Sequence, residues 1–160
     1  MKSNCILFLT LAAMLPCFST VAAELPIKKQ NLMGQWTCSF TMQGDKVYKE
    51  QWTLKDNKAF SLQGRVEYFL GEKNAHFSYD ATGEWELINE TIKLVYNPFE
   101  FQSKDSFSQD YISDIETVYI TPAWNGTRRF QYDVEALSAS RMQIGDDYDS
   151  WQCKRNKRAG

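Results

Sequence analysis

Strict alternation of apolar and polar residues constrains this chain most, and it is clearest in residues 81–96, ATGEWELINETIKLVY. Apolar side chains recur at every second position on both sides of Asn89-Glu90, which is the spacing of strands with one buried face. A two-residue turn at Asn89-Glu90 therefore predicts an antiparallel hairpin with a fixed register. The predicted partners are Trp85 with Leu94 and Leu87 with Ile92 on the buried face, and Glu86 with Lys93, as an ion pair, on the exposed face.

The same period of two recurs along the rest of the chain in short runs separated by turn signals. About eight to ten short strands without a long helix are typical of an antiparallel barrel or sandwich. No internal repeat is evident. Besides the two arms of the hairpin, the runs with this pattern are 34–42, 47–55, 58–64, 65–71, 75–80, 116–122, 128–137, 141–145 and 150–154.

The first 23 residues predict export from the cytoplasm. Lys2 precedes an apolar run that ends in the small residues Val21-Ala22-Ala23, as in a signal peptide. The run is also long enough, at roughly 20 residues, to remain as a membrane anchor. Two outcomes therefore stay open: an inner-membrane protein facing the periplasm, or a soluble periplasmic protein cleaved before Glu24. In both, residues 24–160 form one periplasmic domain, whose formal charge is −3 because the −2 of the whole chain includes Lys2.

Cysteine usage favours a closed barrel over an open sheet. Of the four cysteines, Cys5 and Cys17 lie in the export segment, which leaves Cys38 and Cys153. In an oxidising compartment two such cysteines are expected to form a disulfide. Cys38 lies in the first predicted strand and Cys153 in the last, so this bond places the two strands side by side. We therefore predict an all-β, antiparallel barrel of about eight strands.

The sequence offers little material for catalysis. His76 is the only histidine, so neither a catalytic triad nor a histidine metal site can be assembled around it. Glu84 and Glu86 face the same way on one strand, whereas the carboxylates of a glycosidase must flank the substrate. No glycine-rich phosphate loop is present, and the negative net charge does not suit nucleic acid. We predict no enzymatic activity, no metal, no cofactor and no direct contact with nucleic acid.

One segment, residues 97–115, breaks the strand pattern with a polar and aromatic composition. Ser106 and Gln109 have the spacing of a capping box. A short helix that begins there places Phe107, Tyr111, Ile112 and Ile115 on one face. We predict a short helix or a long loop over one mouth of the barrel. Aromatic residues make up 14% of the chain, and they either fill the barrel interior or line a pocket for one apolar ligand.

Two G-x-W motifs connect this barrel to a known group. Gly34-Gln35-Trp36 resembles the first-strand signature of lipocalin-like barrels, in which the tryptophan plugs one end. Gly83-Glu84-Trp85 repeats the motif. The resemblance implies that Trp36 and Trp85 act as barrel plugs.

A second resemblance covers roughly residues 81–143. The strand GEW at 83–85, the loop SKDSFS at 103–108 and the strand RRFQYDVEAL at 128–137 resemble, in that order, the periplasmic domain of ToxS. The size, export segment and cysteine usage are also similar to the small accessory regulators of Psa and Myf fimbriae in Yersinia. The chain departs from ToxS, which keeps its apolar segment as an anchor, in Val21-Ala22-Ala23, which resembles a cleavage site. Cys38 and Cys153 have no counterpart in ToxS.

The ToxS resemblance implies a regulatory role. ToxS-like proteins accompany membrane-bound ToxR-like transcription activators, so we expect the protein to stabilise or activate such an activator of fimbrial or virulence genes. Some members form a shared barrel that binds bile salts, which implies a bile-salt-like apolar ligand. Two other hypotheses remain: a free lipocalin-like carrier of a small apolar ligand, and an inhibitor of an exported hydrolase. We assign partner contact to an unclosed barrel edge and to Phe99, Phe101, Phe107, Tyr111 and Ile112.

Overall fold

Nine antiparallel strands form a single sheet that closes into a barrel. The computed structural model describes residues 23–42, 46–115, 129–147 and 149–157. The strands are β1 (Gly34–Met42), β2 (Lys46–Leu54), β3 (Ala59–Leu70), β4 (Lys73–Ile88), β5 (Thr91–Tyr96), β6 (Gln102–Ser103), β7 (Arg129–Leu137), β8 (Arg141–Gly145) and β9 (Ser150–Arg155), and the short helices are α1 (Lys29–Leu32) and α2 (Ser106–Gln109).

Closure results from one extra pairing. The sheet order is β3-β2-β1-β9-β8-β7-β5-β4-β6, and β3 also pairs with β4. Eight strands therefore form the closed ring, while β6 pairs with the first half of β4. The eight-stranded antiparallel barrel predicted from the sequence is confirmed. The unclosed edge expected in the main ring is not present among the described strands, because the β3–β4 ladder joins them.

The disulfide joins the first and last strands, as predicted. Cys38 on β1 and Cys153 on β9 are register partners, and their sulfur atoms are bonded at 2.09 Å. Both side chains are buried, so the bond lies inside the barrel and not on its surface.

The predicted hairpin is also confirmed, with its register intact. Trp85 pairs with Leu94 and Leu87 with Ile92. Asn89 and Glu90 both have positive φ, 49° and 68°, as the two central residues of a type I′ turn require. Glu86 and Lys93 face each other on the ladder. The predicted ion pair between them is wrong, because no salt bridge joins these two described side chains.

Two predicted strand boundaries are wrong. Residues 58–64 and 65–71 belong to one strand, β3, and 75–80 is continuous with the first arm of the hairpin in β4. Gly64 was interpreted as a break, but it is an interior strand residue. A Cβ at this position would lie 2.2 Å from the Tyr79 ring, so glycine makes room for that ring without ending the strand. The predicted strand 116–122 lies outside the described residues, as does the predicted export segment up to residue 22.

The segment that precedes β1 closes one end of the barrel. Glu24 forms a bridge with Ser138, and Lys29 in α1 forms a salt bridge with Asp56 at 3.2 Å. This segment therefore spans the end from β7 to the β2–β3 turn, and Leu32 from α1 is fully buried. We call this end the plugged end. The opposite end, marked by the turn Gly71-Glu72 between β3 and β4, is the mouth.

Candidate functional site

The two tryptophans predicted as plugs lie at the plugged end. Trp36 is fully buried, and its indole N–H donates to the Leu32 carbonyl at 2.7 Å. Arg155 stacks its guanidinium 4.0 Å from the Trp36 ring and donates to the carbonyl of Met33 at 2.7 Å. Trp85 is buried as well and donates to the Lys55 carbonyl at 2.8 Å. Each tryptophan thus fastens a loop or helix to the barrel wall.

The segment after β5 fills a gap in the barrel wall. β4 is long, and β5 pairs only with its second half. The first half is covered instead by β6, where Ser103 pairs with Phe77 and Gln102 with Ser78. Phe99 and Phe101 precede β6 and are buried against Tyr79, with ring centroids 5.4 and 4.7 Å away. Two of the five residues assigned to partner contact therefore anchor the segment from within the core.

The predicted short helix forms, but its cap differs from the prediction. The N-cap is Asp105, whose carboxylate accepts from the Ser108 backbone N–H at 2.8 Å, and not Ser106. The backbone hydrogen bond from Ser108 is the main cause that lowers the pKa of Asp105. Ser108 is buried and accepts from the His76 backbone N–H at 2.9 Å, which ties α2 to β4. Gln109 accepts instead from the Ser103 hydroxyl at 2.6 Å.

Aromatic and cationic side chains meet at the mouth. Tyr111 contacts both Phe107 and Tyr68, with ring centroids at 5.3 and 6.3 Å. Lys73 lies 5.4 Å from the Phe107 ring, and Lys46 lies 4.2 Å from the Tyr68 ring. We call these five residues the mouth cluster. Phe107, Tyr111 and Tyr68 are only half-buried, and so is Ile112, the fifth predicted contact residue.

A buried carboxylate lies inside the barrel. Glu50 on β2 is fully buried and accepts hydrogen bonds from the Trp52 indole N–H at 2.5 Å and from the Tyr79 hydroxyl. Hydrogen bonds of this kind offset the cost of placing a carboxylate away from water. Lys46, at the mouth end of the same strand, is also buried. The interior therefore carries a polar centre within an aromatic wall.

Two interior tyrosines titrate abnormally because of this environment. Burial raises the pKa of Tyr96 well above its usual value, and the Glu50 carboxylate raises it further. Burial also raises the pKa of Tyr132, with added contributions from Glu50 and Asp146. Both phenols stay protonated at every pH where the protein is expected to work.

Sequence reasoning missed the inward charges of β2. The strand was predicted, but Glu50 and Lys46 were not assigned to its buried face. The signal was available, since both residues are in phase with Tyr48, Trp52 and Leu54 at a period of two. The described residues contain no group of three or more histidine, cysteine, aspartate or glutamate side chains able to hold a metal ion. Within the same described part, no helix is long and apolar enough to cross a membrane.

Solved structures that are similar to this chain are distant from it in sequence. No protein-family model matches it, and no curated protein matches it. A lipocalin-like protein from Bacteroides uniformis ATCC 8492 is 13% identical, with 79% of this chain and 99% of that chain covered at a TM-score of 0.41. An uncharacterized protein from Bacteroides eggerthii DSM 20697 is also 13% identical, with 78% and 98% covered at a TM-score of 0.45.

Proposed function

We propose that this protein is a non-catalytic periplasmic partner of a membrane-bound, ToxR-like transcription activator. It binds the activator's periplasmic domain and favours its active state, which is a population shift produced by differential binding. A barrel outside the cytoplasm cannot reach DNA, so its influence on transcription passes through a protein that crosses the bilayer. The sequence resemblance to ToxS supports this role, and the target genes are fimbrial or virulence genes.

The mouth cluster is the observation that carries the proposal. Phe107 and Tyr111 keep part of their aromatic surface exposed, while Phe99 and Phe101 hold their segment firmly in the core. Aromatic side chains on a rigid support lose little conformational freedom on binding and are common at the centre of protein interfaces. Lys73 adds a cation beside them, which suits a partner surface that combines apolar groups with carboxylates.

The carrier hypothesis depends on space inside the barrel. Phe40 stacks on Trp151 at 3.6 Å and on Tyr48 at 4.6 Å, so the interior between β1, β2 and β9 is filled by protein rings. A bile-salt-like ligand would therefore have to bind in another part of the barrel or at the mouth. This packing favours the partner role over the carrier role.

The experiment compares variants of the full chain in a strain that lacks the native gene. The double variant Phe107→Ser/Tyr111→Ser should lower transcript levels of the activator's target genes to near those of the deletion strain. Both side chains also contact the core, so folding of each variant is checked by near-ultraviolet circular dichroism. Val95→Ser is the matched control, because Val95 is an apolar residue with 45% exposure on β5, outside the mouth cluster. Equal transcript levels in all strains would contradict the proposal.

A further inference from the structure

We propose that the outer wall of the barrel carries a binding site for a small phosphate-bearing ligand, separate from the mouth cluster. The site is a groove over β2, β3 and β4 with a cavity volume of about 480 Å³. That volume lies within the range of small-molecule sites. We call it the outer groove, and its polar lining consists of Lys49, Arg65, Lys104, His76, Ser78 and Glu67.

Three cations converge on the groove from three separate segments. Lys49 on β2 and Arg65 on β3 are register partners, and both are exposed on the outer face. Like charges placed directly opposite each other on a ladder are destabilising, and an anion between them removes that cost. In the described structure the side chains of Lys49, Arg65 and Lys104 form no salt bridge or hydrogen bond. None of these three charges is therefore paired with a described carboxylate at salt-bridge distance.

The third cation, Lys104, lies in the segment that follows β6. The backbone N–H of Lys104 donates to the His76 carbonyl at 3.0 Å, which fixes Lys104 at the edge of β4. Ser78 on β4 is the register partner of Arg65, just as Lys49 is on β2, so the three residues lie side by side across the sheet. Its hydroxyl adds a neutral donor beside the guanidinium. An arginine fork, two lysines and a hydroxyl are the donors that a tetrahedral dianion requires.

Two carboxylates lie at the outer groove: Glu67 is part of its lining, and Asp105 follows Lys104. The Ser108 hydrogen bond lowers the pKa of Asp105, and the charge of Lys104 helps to lower it. Glu67 accepts from the Asn74 side-chain amide at 2.9 Å, and Asp105 accepts from Ser108 as the cap of α2. The three cations outnumber these two acids, on a chain whose overall charge is negative. Val47 is the one apolar side chain of the lining that is on the outer face, because Val66 and Phe77 are buried in the barrel interior. The cavity is larger than a bare ion needs, so we assign it a phosphate attached to an organic body, either a soluble phosphate ester or a phospholipid headgroup.

Calorimetric titration of the exported chain tests the site. The probes are inorganic phosphate, phosphatidylglycerol vesicles and phosphatidylcholine vesicles. We expect saturable binding of phosphate or of phosphatidylglycerol that weakens as NaCl is added. Arg65→Gln and Lys49→Gln should each reduce the affinity about five- to tenfold, a loss of roughly 1 to 1.4 kcal/mol. Lys154→Gln, an exposed cation on β9 outside the outer groove, is the control and should leave binding unchanged.

The outcomes separate the two sources of the phosphate group. Arg65-dependent binding of inorganic phosphate points to a soluble ester, and Arg65-dependent binding of phosphatidylglycerol alone points to a lipid headgroup. Arg65→Lys should retain part of the affinity, because it keeps the charge but not the fork. Absence of binding to all three probes, or binding that Arg65→Gln and Lys49→Gln leave intact, overturns the inference. Neither result bears on the transcriptional role of the mouth cluster, whose variants lie outside this groove.

Discussion

The Tyr79 hydroxyl donates a hydrogen bond to the Glu50 carboxylate across the full width of β3. Gly64 is the register partner of both residues, and its missing side chain leaves the Tyr79 ring room to cross the strand. Cys38 is the next partner of Glu50 on β1, and Cys153 is the partner of Cys38 on β9. One inward row across five strands thus holds the barrel's disulfide and its buried carboxylate.

Gly64→Ala tests whether this crossing supports the fold. The new Cβ would lie 2.2 Å from the Tyr79 ring and would displace it from Glu50. Overpacking costs about 1 to 3 kcal/mol, and a buried carboxylate that loses a donor costs about as much again. We expect the free energy of unfolding in urea to fall by about 3 kcal/mol. Gln63→Ala, at the neighbouring exposed position on β3, should change it by less than about 0.5 kcal/mol. A fall no larger in Gly64→Ala than in that control would refute the account.

Glu90→Gly should stabilise the barrel. Glu90 is a non-glycine residue at φ 68°, in the second central position of a type I′ turn. Glycine adopts this backbone without steric cost, and asparagine followed by glycine is the preferred pair for such turns. We expect the free energy of unfolding to rise by about 0.5 to 1 kcal/mol. This gain is smaller than the strain that is relieved, because glycine also increases the conformational freedom of the unfolded chain. A lower thermal midpoint in Glu90→Gly than in the native chain would contradict the turn assignment.

The disulfide should be the largest single covalent contribution to stability. It joins residues separated by 115 positions, and closing a loop of that length stabilises by about 4 to 5 kcal/mol in the chain-entropy model. The double variant Cys38→Ala/Cys153→Ala should lose about this amount in urea unfolding. Treatment with a reductant should destabilise the native chain but leave the variant unaffected. A loss below about 1 kcal/mol would show that the closed barrel does not depend on the bond.

The buried tyrosines predict weakness at alkaline pH. Tyr96 and Tyr132 have pKa values raised well above 10.0 in the folded state, mainly by burial, whereas in the unfolded chain they ionise near 10.0. Their contribution to stability is therefore fully present below pH 10 and is lost as the pH rises above it. Each adds a slope of about 1.4 kcal/mol per pH unit in that range. Tyr96→Phe/Tyr132→Phe should flatten the decline of unfolding free energy between about pH 10 and 11. If the unfolding free energy of this variant declined as steeply with pH as that of the native chain, the raised pKa values of Tyr96 and Tyr132 would be contradicted.

The sequence predicted those parts of the fold that depend on local alternation. The hairpin register at Trp85 and Leu94 followed from the period of two, and the pairing of the end strands followed from Cys38 and Cys153. The continuity of β3 through Gly64 was not predicted, because a glycine that admits a ring from a neighbouring strand resembles a turn when only local sequence is considered.

The candidate site was predicted less completely. Phe107 lies in the predicted short helix, but Tyr111 lies beyond its end at Gln109. Phe99 and Phe101, which were assigned to partner contact, are buried in the core. Their burial depends on the fact that β5 pairs only with the second half of β4, so that the segment with Phe99 and Phe101 covers the first half. No local sequence pattern indicates this arrangement. The cap was assigned to Ser106 and not to Asp105 because both residues are good N-caps and the helix starts one position earlier than the capping-box spacing implies.

We propose that the protein acts on transcription through the periplasmic domain of a membrane-bound activator. The most direct test measures transcripts of the target genes with two activators: the native one, and a chimera whose periplasmic domain is replaced by an unrelated dimerising domain. We expect that the small protein raises transcription with the native activator and has no effect with the chimera. An equal increase with both activators would contradict it.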